Sequence, residues 1–351
     1  MTTETVLRDH GETVRRKLGV LGVGVLLLLA TSVIAIGVGS VRVPVADVVT
    51  VLAGGGTGTQ RAIVWNVRLP RVVAAIAAGA NLAIAGAAMQ SVLRNPLGAP
   101  YTLGISQAAA FGVAFTIVIF GVGGAGGSGI PVPATYLTAV AAFLGALVST
   151  GIVLLLVTYR RATPATMILT GIAIGSLFTA GVTTLQYFAS DTEVAAIVYW
   201  TFGDVGRATW RSAALMAAVL VLTTAYFVRH AWDYELLDAG SKTAKSLGVD
   251  VESLRIRGMT IASLATAVVV SIVGIIGFVG LIAPHVVRKL IGGDERYLIP
   301  ASALAGGTLL VAADTLARTV VAPVVLPVGV LTSFLGAPLF VYLVVVGRDY
   351  W

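Results

Sequence analysis

Apolar runs of about 20 residues follow one another along almost the whole of this 351-residue chain, and they leave few folds open. A run of that length crosses about 30 Å of hydrocarbon as a helix rising 1.5 Å per residue. Membrane-spanning strands would show alternating segments of about ten residues instead. Composition agrees: 57% of residues are hydrophobic and 11% charged, mean hydropathy is +0.96, and soluble domains carry about 25% charged residues. The chain therefore reads as an all-α polytopic membrane protein, a single transmembrane domain over residues 1–351. About ten helices are expected, near 18–38, 69–91, 101–122, 134–158, 164–188, 210–229, 257–275, 279–291, 298–317 and 328–346. The first run, Leu18 to Val38, is long and precedes no convincing cleavage site, so a removable leader is not expected.

Residues 257–291 are either one very long helix or a full span followed by a short one. Gly274, Gly277 and Gly280 recur where a bend costs little. Just beyond them, Pro284, His285 and Arg288 have no favourable place in hydrocarbon unless something holds them. With the N-terminus inside, 16 of the 23 Lys and Arg fall in inner segments and seven in outer ones, Arg42 being outer and Arg161 and Arg348 inner. This places both termini in the cytoplasm of a cell-membrane protein, and it explains the +7 net charge without nucleic acid.

Two connecting segments are longer than the rest. Residues 39–67 form an outer loop with Gly54-Gly55-Gly56 at its tip, and residues 230–256 form the long inner one. In the latter, Gly240 and Gly248 can bracket a short amphipathic helix. Such a helix either docks a partner or lies among lipid headgroups. Small-residue spacings at Gly79 and Gly86, Gly171 and Gly175, and Gly329 and Gly336 indicate close helix packing. Leu97-Gly98-Ala99-Pro100 recurs as Leu335-Gly336-Ala337-Pro338, either an internal repeat or chance in a chain rich in Ala and Gly.

No catalytic set is present. Cysteine is absent, the three histidines His10, His230 and His285 lack metal spacing, and no phosphate-binding loop occurs. Gly240-Ser241-Lys242-Thr243 has the tail of such a loop without its upstream glycine. Active transport would then draw on an ion gradient or on a separate ATPase. Ion-coupled carriers bury acids near the membrane centre; here only Asp314 lies inside an expected helix, one turn before Arg318, with which it can pair. Amides and hydroxyls, among them Asn81, Gln90, Gln107, Thr170, Ser176 and Gln186, either line a path or bond between helices. Arg68 and Arg71 flank Pro70 at the start of the second span, where proline fits a first helical turn. Three residues apart, the two arginines are expected to point together into outer solvent, as carboxylate receptors or lipid-phosphate anchors. Asn95-Pro96 reads as a turn.

Four ordered blocks over residues ~65–340 together resemble the FecCD family, permease subunits of type II ABC importers for iron–siderophores, haem and vitamin B12. The first runs from Arg68-Leu-Pro-Arg71 to Gly79-Ala-Asn-Leu-Ala-Ile-Ala-Gly-Ala-Ala-Met-Gln90; the second joins Arg94-Asn-Pro-Leu97 to Pro100-Tyr-Thr-Leu-Gly-Ile-Ser106. The third is Ala244-Lys-Ser-Leu-Gly-Val249. The fourth joins Gly277-Phe-Val-Gly-Leu281, Pro284-His285, Arg288, Ala313-Asp314, Arg318, Leu326-Pro-Val-Gly329 and Gly336-Ala-Pro338. The resemblance implies ten helices per subunit, a second permease subunit (identical or paralogous), two cytoplasmic ATPase subunits holding ATP and Mg, and an outer cargo-binding protein. It implies ATPase coupling through Leu237, Gly240, Lys242, Ala244, Leu247 and Gly248, and docking of the binding protein on Arg68, Arg71 and Arg318. It implies a cytoplasmic gate at Thr163, Pro164, Ala165 and Thr166, a path near the fifth and tenth helices, and ferric siderophore as cargo, with haem and cobalamin open. Gln90 and Gln107 are candidates for the path. The chain departs from the pattern at Gly240-Ser241-Lys242, where many relatives have Gly-Glu, at Pro164, and at Gln107, where glycine is commoner.

Overall fold

The computed structural model describes residues 3–39, 43–122, 133–160 and 163–346; Arg42, Arg161 and Arg348 lie outside the described residues. The described chain is helical: α1 Thr3–Gly37, α2 Val45–Leu52, α3 Gly58–Arg61, α4 Leu69–Leu93, α5 Ile105–Phe120, α6 Ala134–Arg160, α7 Pro164–Phe188 and α8 Asp191–Thr201, then α9 Trp210–Arg229, α10 Ala231–Asp238, α11 Ser241–Ser246, α12 Val251–Val273, α13 Val279–Ile291, α14 Glu295–Thr319 and α15 Val328–Val346. The ten expected spans correspond in order to α1, α4, α5, α6, α7, α9, α12, α13, α14 and α15. Seven helical stretches are long and apolar enough to cross a membrane; α5 and the described apolar part of α15 are shorter.

The chain organises around α4. Its sequence is small and apolar on every side, and such a helix belongs in an interior. Nearly every residue from Pro70 to Leu93 is buried. Glycine sets its approach to two neighbours: a Cβ on Gly79 would fall on the Gly306 carbonyl of α14, and one on Gly86 on the Gly280 carbonyl of α13. Backbones this close gain dispersion contact without a hydrophobic drive from lipid. Asn81 adds polar stitching, its Nδ2 donating 2.9 Å to the Met216 carbonyl of α9. Gly86→Val is therefore expected to force α4 from α13 and lower the thermal midpoint in detergent markedly, since overpacking costs about 1–3 kcal/mol. Gly22→Val is the matched control, because nothing lies within 4 Å of a Cβ there.

The 257–291 region resolves as a full helix followed by a short one. The helix stops at Val273, residues 274–278 are irregular, and α13 restarts at Val279. Gly274 has φ +78° and Phe278 φ +66°. Phe278 is a bulky side chain in a left-handed conformation, an arrangement that clusters at functional sites. The outer 39–67 segment is more ordered than a loop: it holds α2 and α3, and a π-helical turn, Ala62–Arg68, runs directly into α4. Asn95 makes the expected turn, its Oδ1 accepting 2.9 Å from the Leu97 amide. The two Leu-Gly-Ala-Pro stretches differ in conformation, the first being irregular and the second lying inside α15.

Candidate functional site: two cavities between an arginine cluster and a coupling segment

At one end of the bundle the C-terminus of α1, the start of α4, α8 and the C-terminus of α14 meet. Asp314 accepts from both Arg71 and Arg318: Arg71 Nε reaches both carboxylate oxygens at 3.0 Å, and its Nη2 reaches Oδ1 at 2.8 Å. Arg318 Nε lies 3.1 Å from Oδ2. The Asp314–Arg318 pairing expected from their spacing is thus present, with Arg71 as a further partner. Arg71 also touches Asp204 at 3.4 Å. Arg68 is 6% exposed and donates to the Ile36 and Gly37 carbonyls. Arg318 donates to those of Ala35 and Val38. Cations satisfying the last carbonyls of a helix are favoured by its dipole.

The expectation that Arg68 and Arg71 point into outer solvent is therefore wrong. Each guanidinium has a buried carboxylate or an open helix end within reach, and these hold it better than water does. Arg207 does the same for α8, donating to the carbonyls of Trp200, Tyr199 and Phe202; burial pulls its pKa below the usual arginine value against the attraction of Asp204.

Two cavities lie inward of this cluster. The larger, about 830 Å³, is bounded by the 274–278 break and by α15, with Phe278, Leu281, Ser333 and Phe334 in its wall. The second, about 750 Å³, lies between α5 and α7 and is walled by Gln107, Ser176, Thr179 and Thr183. Tyr101 and Thr102 border both. Among the described residues, none that lines either cavity carries a charge. The fifth and tenth expected spans, α7 and α15, thus each line one cavity.

At the opposite end, four elements share one polar knot. Arg288 of α13 lies 3.6 Å from Asp238 of α10 and 3.4 Å from Glu295 of α14. Ser91 of α4 donates 2.7 Å to Glu295 and approaches Asp238 at 3.4 Å. This is what holds Arg288. Burial keeps the Asp238 carboxyl above the usual carboxylate range, against the pull of Arg288 and Ser91. Lys17 pins α1 alongside, 2.8 Å from Asp294. Burial opposes ionisation of Asp294, but Lys17 and Arg296 outweigh it and hold its pKa down.

The sequence matches the model of the FecCD transport family over residues 27–346. The chain belongs to the FecCD transport family. An ABC transporter permease protein of Methanocaldococcus jannaschii is 53% identical over 324 residues, 91% of this chain and 93% of that one. A hemin transport system permease of Yersinia pestis is 38% identical over 82% of this chain and 84% of its own length. A cobalamin import system permease of Halobacterium salinarum is 37% identical over 81% and 74%. Among solved structures, an inward-facing metal-chelate type ABC transporter superposes with TM-score 0.79 at 30% identity, covering 93% of this chain and 99% of that one. The chain is thus an ABC permease of FecCD type, and its homologues are permease subunits rather than enzymes.

The residues expected to couple to an ATPase differ in exposure. Leu237 and Ala244 are fully buried, their apolar side chains packed in the core of the bundle. Lys242, Leu247 and Gly248 face outward, Leu247 being 61% exposed. Gly240 and Gly248 bracket α11 as expected, with φ +127° and +89°, values that favour glycine.

Thr163 caps α7, its hydroxyl accepting from the Thr166 amide at 3.3 Å, and Pro164 takes the first turn. Pro164 is thus accommodated in an ordinary helix start. Thr163, Ala165 and Thr166 are exposed. Gln90 lines neither cavity; it is buried and reaches the Leu281 carbonyl at 3.5 Å, bridging α4 to α13. Gln107 does line the α5–α7 cavity. Sequence reasoning missed α8, whose Thr201 and Phe202 border the larger cavity, and it missed Asp238 and Glu295. The Ser190–Glu193 capping box was the available signal for α8, and Asp294 as N-cap the signal that α14 begins early enough to include Glu295.

Proposed function

We propose that this chain is a membrane-spanning subunit of an ATP-driven importer of metal chelates, with ferric siderophores as its cargo and haem and cobalamin as the alternatives within the class. The single observation that carries the reading is the α10–α11 segment. It exposes Lys242 and Leu247 while Leu237 and Asp238 tie it to the core and to Arg288. A projecting helix fastened to the transmembrane helices can transmit force from a separate motor, and the sequence carries no GxxxxGK(S/T) phosphate-binding loop.

Two ATPase subunits, holding ATP and Mg, are placed against this face, which the Lys and Arg balance makes cytoplasmic; both termini lie on that side of the cell membrane. A second permease subunit, identical or paralogous, fits because Ile172 and Phe334 each line a cavity yet stay exposed, so each cavity opens on the surface of one chain. An outer binding protein delivers cargo at the arginine-cluster end. Arg68, Arg71 and Arg318 support docking there by bracing the surface, and three guanidiniums against Asp204 and Asp314 leave it positive. ATP closure moves α10–α11 and opens the path inward past Thr163 to Thr166. Relatives named for hemin and cobalamin stand at similar identity, so the likeness carries the chelate class more strongly than one cargo. A gradient-driven carrier finds less support: Asp314 and Glu295 are both already paired with arginine.

Purification of the tagged chain from its host tests the assembly. The ATPase and a second permease are expected to co-purify, and Leu247→Asp with Lys242→Glu is expected to release the ATPase while the permeases stay together. Full retention of the ATPase by that double variant would overturn the placement.

A further inference from the structure

The α5–α7 cavity carries a row of hydroxyls on its α7 wall. The hydroxyls of Ser176, Thr179, Thr183 and Thr184 donate to the carbonyls of Ile172, Gly175, Thr179 and Ala180, all on their own helix. Thr102 donates to Ala99 in the same way. With its hydrogen turned back to the helix, each hydroxyl presents lone pairs. Gln107 faces them from α5. Its Oε1 is buried and accepts no hydrogen bond. Gly175 of α7 faces this amide, a Cβ there standing 3.7 Å from Oε1, in ordinary van der Waals contact. A buried acceptor without a donor is unfavourable unless a ligand supplies one.

Charge narrows the ligand further. Among the described residues, no cation lines either cavity. At the start of α13, beside the larger cavity, the amides of Val279, Leu281 and Ile282 are bonded back to Gly277 and Phe278, so they form no cradle for an anion. A carboxylate carried through these walls would lose water and gain no counter-charge.

We propose that the α5–α7 cavity is a subsite for uncharged chelates edged with N–H or O–H donors, amides above all, and that Gln107 Oε1 is the acceptor that selects them. This rests on the importer reading and names the cargo class within it. Anionic chelates edged with carboxylates are disfavoured by the same wall.

The test uses the full complex, permease with its ATPase and binding protein, in proteoliposomes; the same binding protein throughout leaves differences between variants to the path. Four probes are supplied at equal concentration: ferrichrome and cyanocobalamin, uncharged and amide-bearing, and hemin and ferric citrate, which carry carboxylates. The neutral pair is expected to cross at least about tenfold faster than the anionic pair. Gln107→Leu is expected to lower the neutral-to-anionic ratio about three- to tenfold, the worth of one neutral hydrogen bond. Should Gln107→Leu fail to fold, Thr179→Val with Thr183→Val removes two further acceptors and is expected to move the ratio in the same direction. Ferric citrate crossing as fast as the neutral probes, or a ratio unmoved in the folded variants, overturns the subsite and leaves the importer standing. ATP-independent movement of every probe removes the importer reading and the subsite with it.

Discussion

Asp314→Ala is expected to leave little correctly folded protein. The carboxylate is 3% exposed and binds two guanidiniums, Arg71 and Arg318, that are themselves 16% and 10% exposed. Removing it strands two cations in a region with little water to replace it. Breaking a buried pair in this way costs about 3–5 kcal/mol, a large share of a typical stability of about 5–15 kcal/mol. The damage would spread, because Arg318 also fastens the last turn of α1 and Arg71 reaches Asp204 beyond α8. Thermal unfolding in detergent measures the loss. The triple variant that also carries Arg71→Met and Arg318→Met is expected to recover part of it, since the charges left unpaired are gone. A docking role confined to the surface predicts instead that Asp314→Ala folds normally and only binds its partner less well.

Arg288→Met is expected to separate ATP hydrolysis from cargo movement. Arg288 is the joint between the α10–α11 segment and the two helices that follow it, through Asp238 and Glu295. Without it, α10 can shift while α13 stays still. Coupling between sites is typically about 1–3 kcal/mol, or about 5- to 150-fold, and cargo moved per ATP is expected to fall within that span. The defect should depend on pH. Asp238 sits above the usual carboxylate range through burial, and losing Arg288 raises it further. A group with a raised pKa is most stable in place when protonated. The deficit is therefore expected to shrink as pH falls through the raised Asp238 pKa and to grow as pH rises above it. Wild type keeps its arginine and should show less of this dependence. Uptake and phosphate release measured together from pH 5 to 8 decide it.

What the sequence made legible follows from how lipid restricts a chain. Length and hydropathy placed ten helices, because a membrane accepts few alternatives to a full apolar turn count. The small residues Gly79 and Gly86 announced close packing, and the structure shows what they meet. Gly240 and Gly248 bracketed α11 because their backbone angles are ones that other residues avoid.

Side-chain direction was less legible. Arg68 and Arg71 looked solvent-facing because their partners, the end of α1 and Asp314, are remote in sequence: Asp314 lies 243 residues from Arg71. The knot around Arg288 was invisible for the same reason, since Ser91 and Glu295 lie 204 positions apart. Gln90 and Gln107 looked alike as amides in apolar helices. Only the packing separates the one that bridges α4 to α13 from the one that faces a cavity. The short helix α8 was hidden because eleven residues of mixed character carry little periodic signal, and its capping box passes easily for a loop.

The central claim is that the chain is a conduit driven from outside itself. Cargo accumulation in proteoliposomes, with this permease alone and with its ATPase and binding protein added, tests it most directly. The account predicts no uphill movement by the permease alone under any ion gradient, and ATP-dependent, vanadate-sensitive accumulation once both are present. Gradient-driven accumulation by the permease alone, indifferent to ATP and vanadate, would contradict it.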